Sequence, residues 1–488
     1  MSDAAAAPGR WNLFLVAASV AAAAVIVCAQ LFVQPIVGLA DNADYQRVMG
    51  YAGFQHTTAD PAEAYFSYVR TPYAVVSPFW SRGGYHSSET LLAFAARFLH
   101  EAAARGPVFD LRWLGAIHAL LFLLALGLLV RACRDLAPAA QLAAAALLVF
   151  FFTDVGYVAP FNSFYSQTAS LLFLLLTAAV AAEAVRRGRL AGFALLAFFG
   201  FALLFVVSKP QEKLSAPLLA LYGMRLAGVP ASGFWRRGAV WLSAGLVAFS
   251  VWYGRHTPYS LREATMFQVV FDEILAHSAD PAADAAALGL EPAWLRYTGA
   301  NAYAPDSPLR QPEFRVALLQ RVGYRRVLRF YAAHPGRLAA RLERASRQAW
   351  SMRPALGNFE KSSAYPEPAL ATSFSSWSRL KSRLRAAPLT AMFLLLGGNL
   401  AAALATHRRA GPAGRLFREG VMLLVAMAAL AFSVCALAQA PPDLSRQLYA
   451  YHALCDLMLV ADAGWIAQAL AVSLSSGRRR VALLRPVG

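Results

Sequence analysis

The residues best suited to chemistry form one short run, Ala40-Asp41-Asn42-Ala43-Asp44-Tyr45-Gln46-Arg47, which follows the first long apolar segment. Carboxylates paired this closely have three uses. One can take a proton as a general base, the two can hold a divalent cation such as Mg or Mn, or Asp41 can cap a helix with Asp44 in its first turn. Asp41, Asp44 and Arg47 recur every three residues, so a helix starting near Asp41 carries all three on one face. Other polar groups stand in apolar surroundings, where their cost makes them functional candidates. Asn162, Tyr165 and Gln167 fall in the turn Tyr157–Gln167. They suit sugar hydroxyls; alternatively the turn is structural, with Ser163 or Ser166 capping the next helix. Lys209, Gln211 and Lys213 fall in another turn, and the remaining lysines are Lys361 and Lys381. Two lysines in one turn can grip a phosphate or snorkel at a helix end. Near the end of the chain Asp443, Arg446, Gln447, Tyr449 and His452 lead into the last apolar run. There His452 reads either as a hydrogen-bonder within the bundle or as a ligand contact.

The elements that must position these groups are membrane spans. The chain has 488 residues, 58% hydrophobic and 15% charged, with mean hydropathy +0.46, against about 25% charged in soluble domains. Apolar runs long enough to span a bilayer predict about ten helices: Trp11–Val33, Trp113–Val130, Leu136–Phe152, Ser166–Val185, Leu190–Val207, Leu214–Leu226, Ala239–Tyr253, Leu389–Thr406, Val421–Leu437 and Leu448–Leu470. The first is too long for a signal peptide and lacks a small-residue cleavage site. Arginines gather in alternate loops: Arg131 and Arg134, Arg186 to Arg189, Arg236 and Arg237, Arg408 to Arg418, and Arg478 to Arg480. These loops and both termini are expected in the cytoplasm. The expected fold is an all-α polytopic protein of a bacterial inner membrane, with residues 1–253 and 389–488 as transmembrane modules and long extracytoplasmic loops at 34–112 and 254–388.

The net charge of +18 fits cytoplasmic flanks, and no nucleic acid need be invoked. Cys28, Cys133, Cys435 and Cys455 fall in or beside spans, so neither a disulfide framework nor a thiolate metal site is expected. The first loop is rich in aromatics, among them Tyr45, Tyr51, Tyr65, Tyr68, Tyr73, Phe79, Trp80 and Tyr85. It predicts a helix over Ser88–Ala103 and no strand. The second loop is arginine-rich from Arg310 to Arg353, and predicts amphipathic helices over Phe314–Ala332 and Gly336–Trp350, suited to a membrane interface or to an anionic headgroup. No Walker loop or dinucleotide fingerprint is present, so an ion gradient or a lipid-linked activated substrate has to supply the energy.

Four stretches resemble the GT-C class of polytopic glycosyltransferases, most similarly its bacterial S-layer and surface-glycan hexosyltransferase branch: Gly38–Met49, Tyr157–Tyr165, Ile274–Pro281 with Leu288–Leu290, and Asp443–Asp456. Ala43 stands where glycine is expected, and Arg446-Gln447 where a basic pair is expected. The resemblance implies a polyprenyl-phosphate sugar donor, a glycan or lipid-linked acceptor, and membrane lipids as surroundings. It makes Asp44 the essential acid of the first loop, expected to take the acceptor's proton as the base of an inverting transfer, with Asp41 its partner or rival. Arg47, Asn162, Tyr165, Gln167, Lys209, Gln211, Lys213, Arg446 and His452 are the candidate substrate contacts. The competing readings are an oligosaccharide polymerase or ligase centred on the arginine-rich loop, and a lipid-linked glycan flippase; acids outside the mid-membrane argue against ion coupling.

Overall fold

The computed structural model describes residues 8–77, 86–103, 106–228, 233–438 and 441–483. Phe79, Trp80, Tyr85, the Asp443 side chain and the side chains of Arg478, Arg479 and Arg480 lie outside the described residues.

Long apolar runs become helices because lipid offers their backbone N–H and C=O groups no other partner. Six helices are long and apolar enough to cross a membrane: Arg10–Leu31, Arg112–Ala132, Gln167–Arg187, Pro388–His407, Pro412–Ala438 and Tyr449–Ser475. A bent pair, Pro138–Phe152 with Val155–Phe161, meets at 59° and raises the number to seven if it is one span. The other expected spans are helical but of another kind. Phe193–Val206 has 14 residues and Ala216–Ala227 has 12, and at 1.5 Å per residue the longer reaches about 21 Å, short of a bilayer core of about 30 Å. Gly233–Arg255 is long enough, with 23 residues, but carries arginines near both ends. Between helix ends, Arg186 pairs with Asp135 at 2.8 Å, Arg225 with Glu419 at 2.9 Å, and His407 with Glu419 at 3.0 Å. These arginine-bearing loops therefore share one face of the bundle.

The opposite face carries the two long segments. The first holds the expected helix Ser88–Ala103, but also a small antiparallel sheet that the all-α expectation missed: β1 (Phe54–His56), β2 (Pro72–Val75) and β3 (Val108–Asp110), in that order. Strands of three or four residues are too short to show alternation. Their register sets His56 opposite Tyr73, and Tyr73 opposite Phe109. The second segment folds over Phe267, Phe271, Phe314, Val327 and Phe330 into its own core. The expected helix over Phe314–Ala332 is two, Pro312–Arg321 and Tyr324–Ala333, broken at Val322-Gly323. Its apolar face is covered by protein, with Phe314, Leu318, Val327 and Phe330 buried in that core, rather than laid into a bilayer surface. Most of the arginines are used internally: Arg321 with Glu291, Arg337 with Asp284, and Arg341 and Arg344 with Glu273. Arg341 also donates to the Ala436 carbonyl at 2.5 Å, fastening this cap to helix Pro412–Ala438.

One returning strand of backbone from the second segment steadies the first. Gly38 N–H donates to Asn358 O at 3.0 Å, Ala40 N–H to Gly357 O at 2.9 Å, and Gly357 N–H to Phe66 O at 2.9 Å. Only glycine fits at position 357, because a Cβ there would lie 1.8 Å from Ser67 O.

Candidate functional site

The segment Asp41 to Tyr45 is a turn, not the start of a helix. Helix Gln46–Ala52 begins after it, and Ala43 takes φ 75°, the left-handed conformation that glycine adopts without cost. The expected three-residue face is thus broken, yet the turn still aims both acids. Asp41 is buried; one carboxylate oxygen accepts from Tyr45 N–H at 3.1 Å, and the other lies 3.0 Å from His56 Nε2. Tyr165 holds the turn from the bundle: its hydroxyl donates to Ala40 O at 2.8 Å and accepts from Asn42 N–H at 2.9 Å. Its ring packs edge-on against Tyr45, centroids 4.7 Å apart.

Asp44 is the centre of the cluster. Arg47 donates to one oxygen at 2.7 Å and Arg446 to the other. The Arg446 guanidinium lies over the Tyr165 ring, 4.6 Å from its centroid. The next residue, Gln447, accepts from Lys209 Nζ at 2.6 Å and from Gln211 at 3.1 Å. The first loop, the turn after Phe193–Val206 and the segment before the last span therefore meet at one place.

Electrostatics separate the two acids. Burial alone would raise Asp44, but Arg47, Arg446 and Lys209 together outweigh it and hold the carboxyl below the usual range. Burial pushes Asp41 up, the charge of Asp44 adding to the rise, against hydrogen bonds from His56 and Tyr45 N–H. Asp44 is thus a firmly ionised and correspondingly weak base. Neither carboxylate fits a divalent cation as arranged, since Asp44 is flanked by two guanidinium groups and Asp41 is engaged by a ring nitrogen and an amide. No group of three or more His, Cys, Asp or Glu side chains suited to a metal occurs among the described residues.

Of the candidates named from sequence, Asp41, Asp44, Arg47, Tyr165, Lys209, Gln211 and Arg446 come together; four do not. Asn162 is fully buried and ties the Leu31 and Val37 carbonyls at 3.0 and 2.9 Å, a support for the loop and not a sugar contact. Gln167 is buried in the first turn of its helix. Neither Ser163 nor Ser166 caps that turn; Glu89 accepts from Ala169 N–H at 3.0 Å. Lys213 lies against Gly254 with Arg262 near it, burial and that like charge lowering its pKa. His452 is sealed in the bundle, its carbonyl 3.4 Å from Lys381 Nζ.

Sequence reading passed over several buried ionisable groups. Lys381 pairs with Asp456 at 2.8 Å, and Asp456 also accepts from Tyr157 at 2.6 Å and Trp377 at 3.0 Å, closing the loop helix Ser376–Ser382 onto the last span. His118 sets Nδ1 2.8 Å from Phe161 O and Nε2 2.9 Å from Glu89. A carbonyl only accepts, so Nδ1 carries a proton and the Nε2–Glu89 contact shares another. Glu212 is buried and raised to about 7, by burial against the opposing pull of Lys209. The only signal for any of these was an ionisable residue in apolar sequence, which does not name its partner.

The fold and this cluster define a multi-pass membrane protein whose long segments build a polar, charge-paired centre at one face of the bundle. The chain belongs to the YfdI N-terminal transmembrane domain family, whose family model matches residues 10–481. No curated protein and no solved structure matches it.

Proposed function

We propose that this protein is a membrane glycosyltransferase that moves a sugar, a hexose by resemblance, from a polyprenyl-phosphate donor to a glycan or lipid-linked acceptor. The observation that carries the reading is the meeting of Asp44 with Arg446, Arg47 and Lys209 at the ends of the spans. A prenyl tail in the bilayer holds its phosphate at headgroup level, where such a cluster can receive it. The arginines and lysine are suited to the charge that gathers on the departing phosphate, and Asp44 is suited to setting their positions and meeting sugar hydroxyls. Inversion at the anomeric carbon follows from direct attack by the acceptor oxygen. A cleft of about 450 Å³ between helices Pro8–Leu31 and Pro138–Phe152, lined by Ala18, Ala22, Ala145 and Val149 and reaching Asp154 and Trp377, is apolar over most of its length but is lined by none of the Asp44 cluster.

The shared arginine-bearing face favours that side as cytoplasmic, with both termini there if ten segments cross. The cluster then lies on the extracytoplasmic side of a bacterial inner membrane. Internal pairing of most cap arginines speaks for this reading over a polymerase or ligase working through that loop. The test incubates purified protein with a panel of polyprenyl-phosphate sugars and the envelope glycans of the source cell, and follows release of lipid phosphate. Wild type is expected to turn over one donor, and Asp44→Asn to fold and insert without transfer. A fully active Asp44→Asn removes the cluster from the reaction.

A further inference from the structure

The last span carries an acid at its midpoint. Asp462 lies halfway along Tyr449–Ser475, about 20 Å from either end at 1.5 Å per residue. This departs from the expectation that acids stay outside the mid-membrane, and a carboxylate at such a depth is costly enough to mark a function. The side chain is half-buried and stands on the outer side of its helix. Trp465, Ile466 and Ala469, one and two turns further on, are exposed along the same side, whereas Gly464 faces inward against Ala144. The helix Pro388–His407 packs beside it on Pro412–Ala438, and Asn399, near the middle of that helix, reaches across. Asn399 Nδ2 donates to Asp462 Oδ2 at 3.0 Å and to Leu395 O at 3.0 Å, which spends both amide hydrogens. The other Asp462 oxygen and the Asn399 side-chain oxygen have no partner among the described residues.

The pair therefore presents acceptors alone, at a depth where lipid supplies no donor. The chain itself offers no cation to meet them: among the described residues, the arginines of the six spans lie toward helix ends, as Arg112, Arg131 and Arg186 do, and none of these spans contains a lysine. A second copy would bring the same lack. We propose that Asp462 and Asn399 form a docking site for a transmembrane helix of another protein, one with a lysine or arginine at its midpoint. The incoming ammonium or guanidinium donates to the two open oxygens, an attraction that a low dielectric strengthens. Close approach of the helix needs small residues at the contact. Gly398 and Ala402, one turn apart beside Asn399, are both exposed, and a Cβ at Gly398 would meet nothing within 4 Å. Trp465 and Ile466 give the same contact apolar surface on the other helix. None of the Asp44 cluster takes part, so the site stands apart from the glycosyltransferase reading.

The experiment places full-length, fluorophore-labelled protein in phosphatidylcholine vesicles with a labelled synthetic helix of about 20 leucines and alanines. Three such peptides differ only at the central position, which is lysine, leucine or glutamate, and energy transfer between the labels reads association. Wild type is expected to bind the lysine peptide on the order of tenfold more tightly than the leucine peptide, and the glutamate peptide most weakly. Asp462→Leu should abolish the preference, and Asp462→Lys should reverse it in favour of the glutamate peptide. That reversal separates a changed site from a misfolded protein, which would prefer neither charge. Lysine and leucine peptides binding wild type alike, or a lysine preference that persists in Asp462→Leu, overturns the proposal. Self-association of wild type without peptide, lost in Asp462→Leu, would give the face to a second copy and overturns it as well. So does a proton flux across the vesicle membrane that Asp462→Asn abolishes, since the acid would then be a relay.

Discussion

Replacing Glu212 by glutamine keeps its shape and removes a single titration, so stability against pH isolates that titration without substrate. Burial raises the carboxyl from 4.5 to about 7, and at roughly 1.4 kcal/mol per unit the linked free energy is about 3 kcal/mol. Because the folded pKa lies above the unfolded one, the folded state holds the proton more tightly. The contribution is fully present below pH 4.5 and is lost as pH rises through about 7. Asp44 works in the opposite direction, its lowered value giving stability that is lost only as pH falls below the ordinary carboxylate range, outside this window. Wild type and Glu212→Gln should therefore be unfolded by denaturant in one detergent at pH 4.5 and pH 8, followed by tryptophan fluorescence. The variant should gain about 3 kcal/mol on wild type between the two conditions. An equal difference at both pH values refutes the reasoning, since Glu212 would then titrate alike in both states.

Lys381→Met leaves the Asp456 carboxylate buried without its cation, and should lower unfolding stability by about 3–5 kcal/mol, with the double variant Lys381→Met, Asp456→Leu recovering most of it. Gly357→Ala places a Cβ against Ser67 O, and should cost about 1–3 kcal/mol or more, read in the same unfolding assay. Ala43→Gly relieves a left-handed alanine at about 1–2 kcal/mol while adding about 0.5–1 kcal/mol of chain entropy. A net gain near 0.5 kcal/mol is expected, and a loss above 1 kcal/mol contradicts the backbone argument.

What the sequence made legible was whatever a local pattern encodes. Helix Ser88–Ala103 follows its apolar period to the residue, and Ala43 occupies a position where the resemblance expected glycine and the backbone takes a positive φ. Asp44, Arg446 and Lys209 were found because each is a charged group beside a span. What stayed hidden depends on the partner. The arginine run from Arg310 to Arg353 looks like a surface awaiting an anion, but its acids, Glu273, Asp284 and Glu291, come from an earlier stretch. Lys213 and His452 share local features with Lys209 and Arg446, yet helix direction sends them elsewhere. The strands pair at a distance along the chain, Gln55 with Ala74 and Tyr73 with Phe109, and none is long enough to announce itself.

The same distinction separates the two buried acids Asp44 and Glu212. A charge met by fixed opposite charges has its energy settled before substrate arrives, so it shapes a site more readily than it reacts there. Asp44 is in that state, with a guanidinium on each oxygen. Glu212 is in the other state, desolvated, beside a lysine committed to Gln447, and without a donor of its own. Of the two, Glu212 is therefore the acid whose charge changes near neutral pH, and Asp44 the one whose charge does not.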